Sequence, residues 1–190
     1  MEQVTYGDFD YLLLQLKRKM EQETPHPAVE EQAGPNNRVL VMDFWVQIPK
    51  ELKMADAGVA PDIFWSERRP SQLFVNEKKN VGITLQLSET KALGYDVAQS
   101  RAEIKKVLEN IDGRIVFYEE GSRSNVLWFD YKSFAKNIIV YNIMFLFELS
   151  HGNGIVMGTF FCPFADYDKW KSIILEMLGT IEQGEMDEGL

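Results

Sequence analysis

A run of twelve residues, Ile138 to Leu149 (IIVYNIMFLFEL), constrains this chain more than any other stretch. One alternation carries Ile138, Val140, Met144 and Leu146; the other carries Ile139, Tyr141, Ile143, Phe145, Phe147 and Leu149. A strand with one face in water alternates apolar with polar residues, so a strand apolar on both alternations is covered on both faces. The run contains Asn142 and Glu148 and is too short for a membrane-crossing helix, which needs roughly 18 or more apolar residues. It is therefore predicted to be a strand of a sheet lying between layers, with Ile143 and Phe145 both largely buried.

The flanking pattern supplies the rest of that sheet. Arg38 to Ile48 reads as one long strand whose apolar face is Leu40, Met42, Phe44, Val46 and Ile48, and Pro49 ends it. Short strands are predicted near Ile63–Trp65 and Gln72–Val75, separated by the loop SERRPS. Val81, Ile83, Leu85 and Leu87 alternate with Gly82, Thr84 and Gln86, as in a strand with one covered face. After a helix come Ile115–Tyr118, the loop EEGSRSN, Val126–Tyr131, the long run, HGNG and Ile155–Phe161. Short polar turns between apolar runs imply an antiparallel meander.

Three helices are predicted. Asp8 caps the first, with Phe9, Leu12, Leu13, Leu16 and Met20 on one face. The second starts near Asp96, turns Val97, Ile104, Val107, Leu108 and Ile111 inward, and stops at Asp112-Gly113. The third starts near Asp166 and carries the stripe Trp170, Ile173, Ile174, Met177, Leu178 and Ile181. The expected fold is α+β: a largely antiparallel sheet of about six strands with helices on both faces, a three-layer sandwich. The chain divides into an amphipathic helix (1–20), an acidic Pro-containing tether (21–37), a single domain (38–181) and an acidic tail (182–190).

Charge excludes one class of partner. The net charge is −9, but segments 21–37 and 182–190 carry −4 each, which leaves the body nearly neutral. Nucleic-acid binding needs a concentrated basic stripe, and none is present. The single cysteine, Cys162, precludes an internal disulfide, and the N-terminus lacks a basic stretch before an apolar core. These features predict a cytoplasmic protein with no membrane span.

Three stretches together resemble the PsbP-like superfamily, which includes Ran-binding Mog-type and DcrB-type proteins. IFWSERRPSQLFVNEKKNVGITLQL looks like its segment of short strand, loop and strand, and DGRIVFYEEGSRSNVLWFDYKSF is similar to its central hairpin. MGTFFCPFADYDKWKSIILEMLGTI resembles its final strand and helix. The likeness spans about residues 38–181 and leaves out the N-terminal helix and tether. It implies a protein that binds other proteins or metal clusters and does little chemistry.

The residues themselves carry few chemical signatures. His26 and His151 have no partner at i+3 or i+4, and two histidines with one cysteine build no zinc site. HGNG lacks the spacing of a phosphate loop. Cys162 sits between Phe161 and Pro163, as a buried structural thiol would. Asp43, Asp130 and Glu148 interrupt apolar strands; each is either a carboxylate held for chemistry or a residue turned outward. Aromatic and arginine side chains are enriched at interface hot spots, which makes Phe64, Trp65, Arg68 and Arg69 the candidate binding residues; the alternative is a loop anchored by its aromatics, with solvated arginines.

The reading is a non-catalytic cytoplasmic protein-binding or adaptor module, in one version a chaperone for a secreted partner, with no cofactor and no metal. An enzyme using unobvious carboxylates, or a protein binding a small ligand or metal ion, stays open beside it. The N-terminal helix is expected to dock on its own sheet in a monomer, with a helix-swapped dimer as the alternative.

Overall fold

The computed structural model describes residues 38–55, 70–88, 96–135, 138–149 and 154–183. Residues 1–37, His151 and the set Phe64, Trp65, Arg68 and Arg69 lie outside these, so the expectations placed on them have no counterpart here. So does the strand expected at 63–65. Among the described residues the strands are β1 (Arg38–Val41), β2 (Phe44–Gln47), β3 (Lys53–Met54), β4 (Gln72–Val75) and β5 (Gly82–Ser88). Helix α1 (Val97–Ile111) follows, then β6 (Val116–Arg123), β7 (Val126–Ala135), β8 (Ile138–Glu148) and β9 (Ile155–Pro163). Helix α2 (Tyr167–Leu178) and β10 (Glu182–Gln183) end the described part.

The fold is α+β and the sheets are antiparallel throughout. A seven-stranded sheet runs β3-β4-β5-β9-β8-β7-β6, and a three-stranded sheet runs β1-β2-β10. This is one main strand more than the six expected, plus a second sheet. One reason lies in Arg38 to Ile48. Met42 and Asp43 both take positive φ, 46° and 68°, and Val41 pairs with Phe44 across them. Positive φ at both central residues is the tight turn that matches strand twist, so the expected single strand is a hairpin. Neither residue is the glycine or asparagine that usually marks such a turn, and the sequence hides it. β6 is likewise longer than expected: it takes in most of EEGSRSN and turns at Ser124, φ 51°.

Strand β8 sits third from the β6 edge, and Tyr141 to Phe147 are all buried. Its two alternations enter different clusters. Ile143, Phe145 and Phe147 join Trp128, Phe160 and the α2 residues Trp170, Ile174, Met177 and Leu178, together with Val41, Phe44 and Val46 of the small sheet. Met144 and Leu146 join Phe129, Tyr131 and the α1 residues Ile104 and Leu108. Phe145 pairs with Gly158, where a Cβ would lie 2.1 Å from the Phe145 ring. The absence of a side chain at Gly158 leaves room for the tip of that ring against β9.

Both described helices form where their signals stood. Asp96 caps α1 by accepting from the Gln99 N–H at 2.7 Å, and the Gln99 side chain accepts from the Asp96 N–H, a reciprocal capping box. In α2, Trp170, Ile174, Met177 and Leu178 are the buried stripe. Beyond it, the Gln47 N–H donates to Thr180 Oγ1 at 3.0 Å, which ties β2 to the end of that helix.

Candidate functional site

Of the three carboxylates that interrupt apolar strands, only Asp130 is buried. Asp43 lies exposed in the β1–β2 turn, and Glu148 is exposed at the end of β8. Asp130, in β7, is 1% exposed. A buried carboxylate needs full hydrogen bonding, and Asp130 has it from three elements. Its Oδ1 accepts from the Glu119 N–H at 2.6 Å. Its Oδ2 accepts from Tyr141 Oη–H at 2.6 Å and lies 2.7 Å from Lys171 Nζ of α2. Lys171 also meets the Glu119 carboxylate at 3.1 Å.

The β6 register shows what this network holds. Phe117 pairs with Tyr131 and Glu120 with Phe129, so Tyr118 and Glu119 together oppose Asp130 alone. That is a β-bulge, which leaves a backbone N–H without its ladder partner and re-aims a side chain. Asp130 supplies the missing acceptor, and Tyr118 turns to solvent, 47% exposed, with its ring 6.3 Å from that of Phe164.

The network's proton affinities fit a fixed charge cluster. Burial, then the Asp130 hydrogen bond, pushes the Tyr141 hydroxyl well above the ordinary tyrosine range. Burial pulls the Lys171 ammonium down, but the hydrogen bonds and charges of Asp130 and Glu119 outweigh it and raise its pKa. General acid–base work favours groups that exchange protons near the working pH. Both of these move away from neutrality, so the arrangement suits holding structure. Burial, with a smaller contribution from Asp166, pushes the Cys162 thiol up to about 12, so it is no ready nucleophile. No group of three or more His, Cys, Asp or Glu able to hold a metal occurs among the described residues.

Beside the network an apolar surface lies open. The register places Val116, Lys132 and Tyr141 in one row across β6, β7 and β8, and Phe134 with Ile139 in the next. Phe164 stacks on Tyr167 at 5.1 Å, and Tyr167 lies 5.5 Å from Tyr141, so these rings cover the buried Tyr141. Past them, Val116 and Ile139 are 40% and 43% exposed. The Arg114 guanidinium and Lys132 ammonium lie 5.2 and 5.7 Å from the Phe134 ring on the rim of the apolar surface, where Arg114 is also paired with Asp112 at 2.7 Å. Ile138, also exposed, belongs to the opposite alternation.

A separate groove of about 630 Å³ runs along α2 toward Arg123. Its lining balances Arg123 and Lys171 against Asp168 and Glu176, so it selects no sign of charge. The apolar surface is the more selective feature, and it was not legible in the sequence. Ile139 reads like Ile143 in sequence, and a bulge at Tyr118 leaves no composition mark.

No protein-family model and no curated protein sequence matches the chain. Solved structures do. Cyanobacterial PsbP (CyanoP) from Synechocystis sp. PCC 6803 is similar at TM-score 0.54 and 8% identity, over 87% of this chain and 99% of that one. The Ran-binding protein Mog1p of Saccharomyces cerevisiae is similar at TM-score 0.52 and 14% identity, over 82% and 96%. LpqN of Mycobacterium tuberculosis, involved in cell envelope biogenesis, is similar at TM-score 0.51 and 10% identity, over 95% and 99%. At such identities the likeness is one of fold, and it bears out the PsbP-like resemblance of the sequence. No helix among the described residues is long and apolar enough to cross a membrane.

Proposed function

From the PsbP-like fold as premise, we propose that this protein is a non-catalytic protein-binding module whose contact surface is Val116, Tyr118, Phe134 and Ile139. One observation carries this reading: large apolar side chains stand exposed on a framework fixed by a buried ion-paired network. Rigid aromatic and aliphatic anchors with an arginine-bearing rim are the chemistry of interface hot spots. The likeness to a Ran-binding protein supports a protein partner in general and names none for this chain. We read the seven-stranded sheet as the middle of three layers, with α1 on one face and α2 with the small sheet on the other. The cluster memberships support that reading.

Site-specific photo-crosslinking tests the proposal in lysate of the source organism. A benzophenone side chain at position 118 is expected to capture a defined protein that the same group at position 109, exposed on α1, does not. Ile139→Asp should abolish that capture while leaving the fold intact. Equal capture from both positions, or capture indifferent to Ile139→Asp, would overturn the assignment.

A further inference from the structure

Among the described residues the surface of Val116, Tyr118, Phe134 and Ile139 stands open, and the sequence outside them carries an apolar stripe. Phe9, Leu12, Leu13, Leu16 and Met20 recur at the spacing of one helical face, and an isolated helix of that length is marginal in water. Such a stripe needs a receiving surface. Val116, Tyr118, Phe134 and Ile139 form one, and aromatic and branched side chains are what a helix of this type packs on.

Reach allows the two to meet within one molecule. The described chain starts at Arg38, which pairs with Gln47, and the Gln47 N–H bonds to Thr180 just past the end of α2. The open surface lies at the other end of α2, beside Phe164 and Tyr167. Twelve helical residues separate these ends, about 18 Å at 1.5 Å per residue. The seventeen residues from Glu21 to Asn37 extend to about 55 Å at roughly 3.3 Å each. Within residues 9–20 Asp10 stands against Lys17, Arg18 and Lys19, a net +2, so it is the apolar match and the reach, not charge, that favour the docking.

We propose that residues 9–20 dock as an amphipathic helix on Val116, Tyr118, Phe134 and Ile139 of the same molecule, covering the surface until a protein partner displaces them. The docking stands on the stripe, the surface and the reach; its regulatory meaning rests on the function proposed above.

The test uses the purified full-length protein with the benzophenone at position 118. Irradiation is expected to join position 118 to residues 9–20, identified by mass spectrometry, in a species of monomer mass. Leu12→Asp with Leu16→Asp should abolish this crosslink, and Ile139→Asp should weaken it strongly. In lysate, the same double substitution should raise partner capture about tenfold, the gain expected when the uncovered form is about one-tenth populated. Crosslinks between isotopically light and heavy copies would overturn docking within one molecule in favour of a second copy. A crosslink that survives the double substitution, or none at all, would overturn the docking outright and leave the partner proposal standing. A clean intramolecular crosslink with no partner captured by the double variant would uphold the docking and sink the binding function.

Discussion

Ile139 and Ile143 stand four residues apart on the same alternation of β8, yet one is 43% exposed and the other fully buried. Nothing in their chemistry separates them. The difference comes from what lies above each. Ile143 is under the cluster built from α2 and the small sheet, whereas Ile139 lies beyond Phe164 and Tyr167, where that cover has ended. An apolar run therefore reports that a strand is covered, and only tertiary geometry says where the cover stops. The end of the cover is where a surface for binding begins.

The sharpest way to break this comparison is to truncate both ends of it. Phe145→Ala removes a fully buried ring seated on Gly158 and should cost about 3–5 kcal/mol in urea unfolding. Ile139→Ala should stay within about 0.5 kcal/mol, as exposed positions do. Similar losses at the two sites would mean that Ile139 is covered in solution.

A smaller effect is expected from the network that frames the surface. Asp130→Ala strips Lys171, Tyr141 and the Glu119 N–H of their shared acceptor. Breaking a buried ion pair from one side costs about 3–5 kcal/mol, and the low end applies because Lys171 keeps Glu119 and is 21% exposed. The more telling readout is Tyr118: hydrogen exchange across Phe117–Glu120 should quicken if Asp130 holds the bulge. Unchanged exchange would separate the network from the surface.

The smallest effect is one of pH. Folding raises both the Tyr141 and Lys171 pKa values. Between its unfolded value, about 10, and its higher folded value, Tyr141 keeps a proton in the folded state that the unfolded chain has lost. The Lys171 contribution is likewise complete below its unfolded value, about 10.4, and fades as pH rises through the folded one. Stability should therefore fall as pH climbs past about 10, and Tyr141→Phe should flatten part of that fall. An identical alkaline slope in the variant would show that Tyr141 ionises as easily folded as unfolded.

Much of the frame was legible because its signals are local. The start near Asp96, the stop at Asp112-Gly113 and the α2 stripe each rest on signals within a few residues, and each appears where expected. Gln72–Val75 falls within its expected bounds, and the PsbP-like pattern of hairpin, strand and final helix led to the right fold. The hairpin at Met42-Asp43 was not legible, because Met42 does not favour positive φ and no Asn-Gly or Asp-Gly pair marks the turn. Nor was Asp130 separable from Asp43 and Glu148, since its role depends on Lys171 arriving from a helix remote in sequence. The loop of Phe64, Trp65, Arg68 and Arg69, chosen for its composition, lies outside the described residues. The surface proposed instead comes from register.

The bulge at Tyr118 and Glu119 has a second consequence, for solubility. β6 is the edge of the seven-stranded sheet, and a straight edge beside exposed valine, tyrosine and isoleucine would invite another chain to add as a strand. Here the ladder shifts register midway, and Glu119, Glu120 and Arg123 place charges along the edge. The molecule can thus display a sticky side-chain surface while its backbone edge stays a poor template for fibre growth.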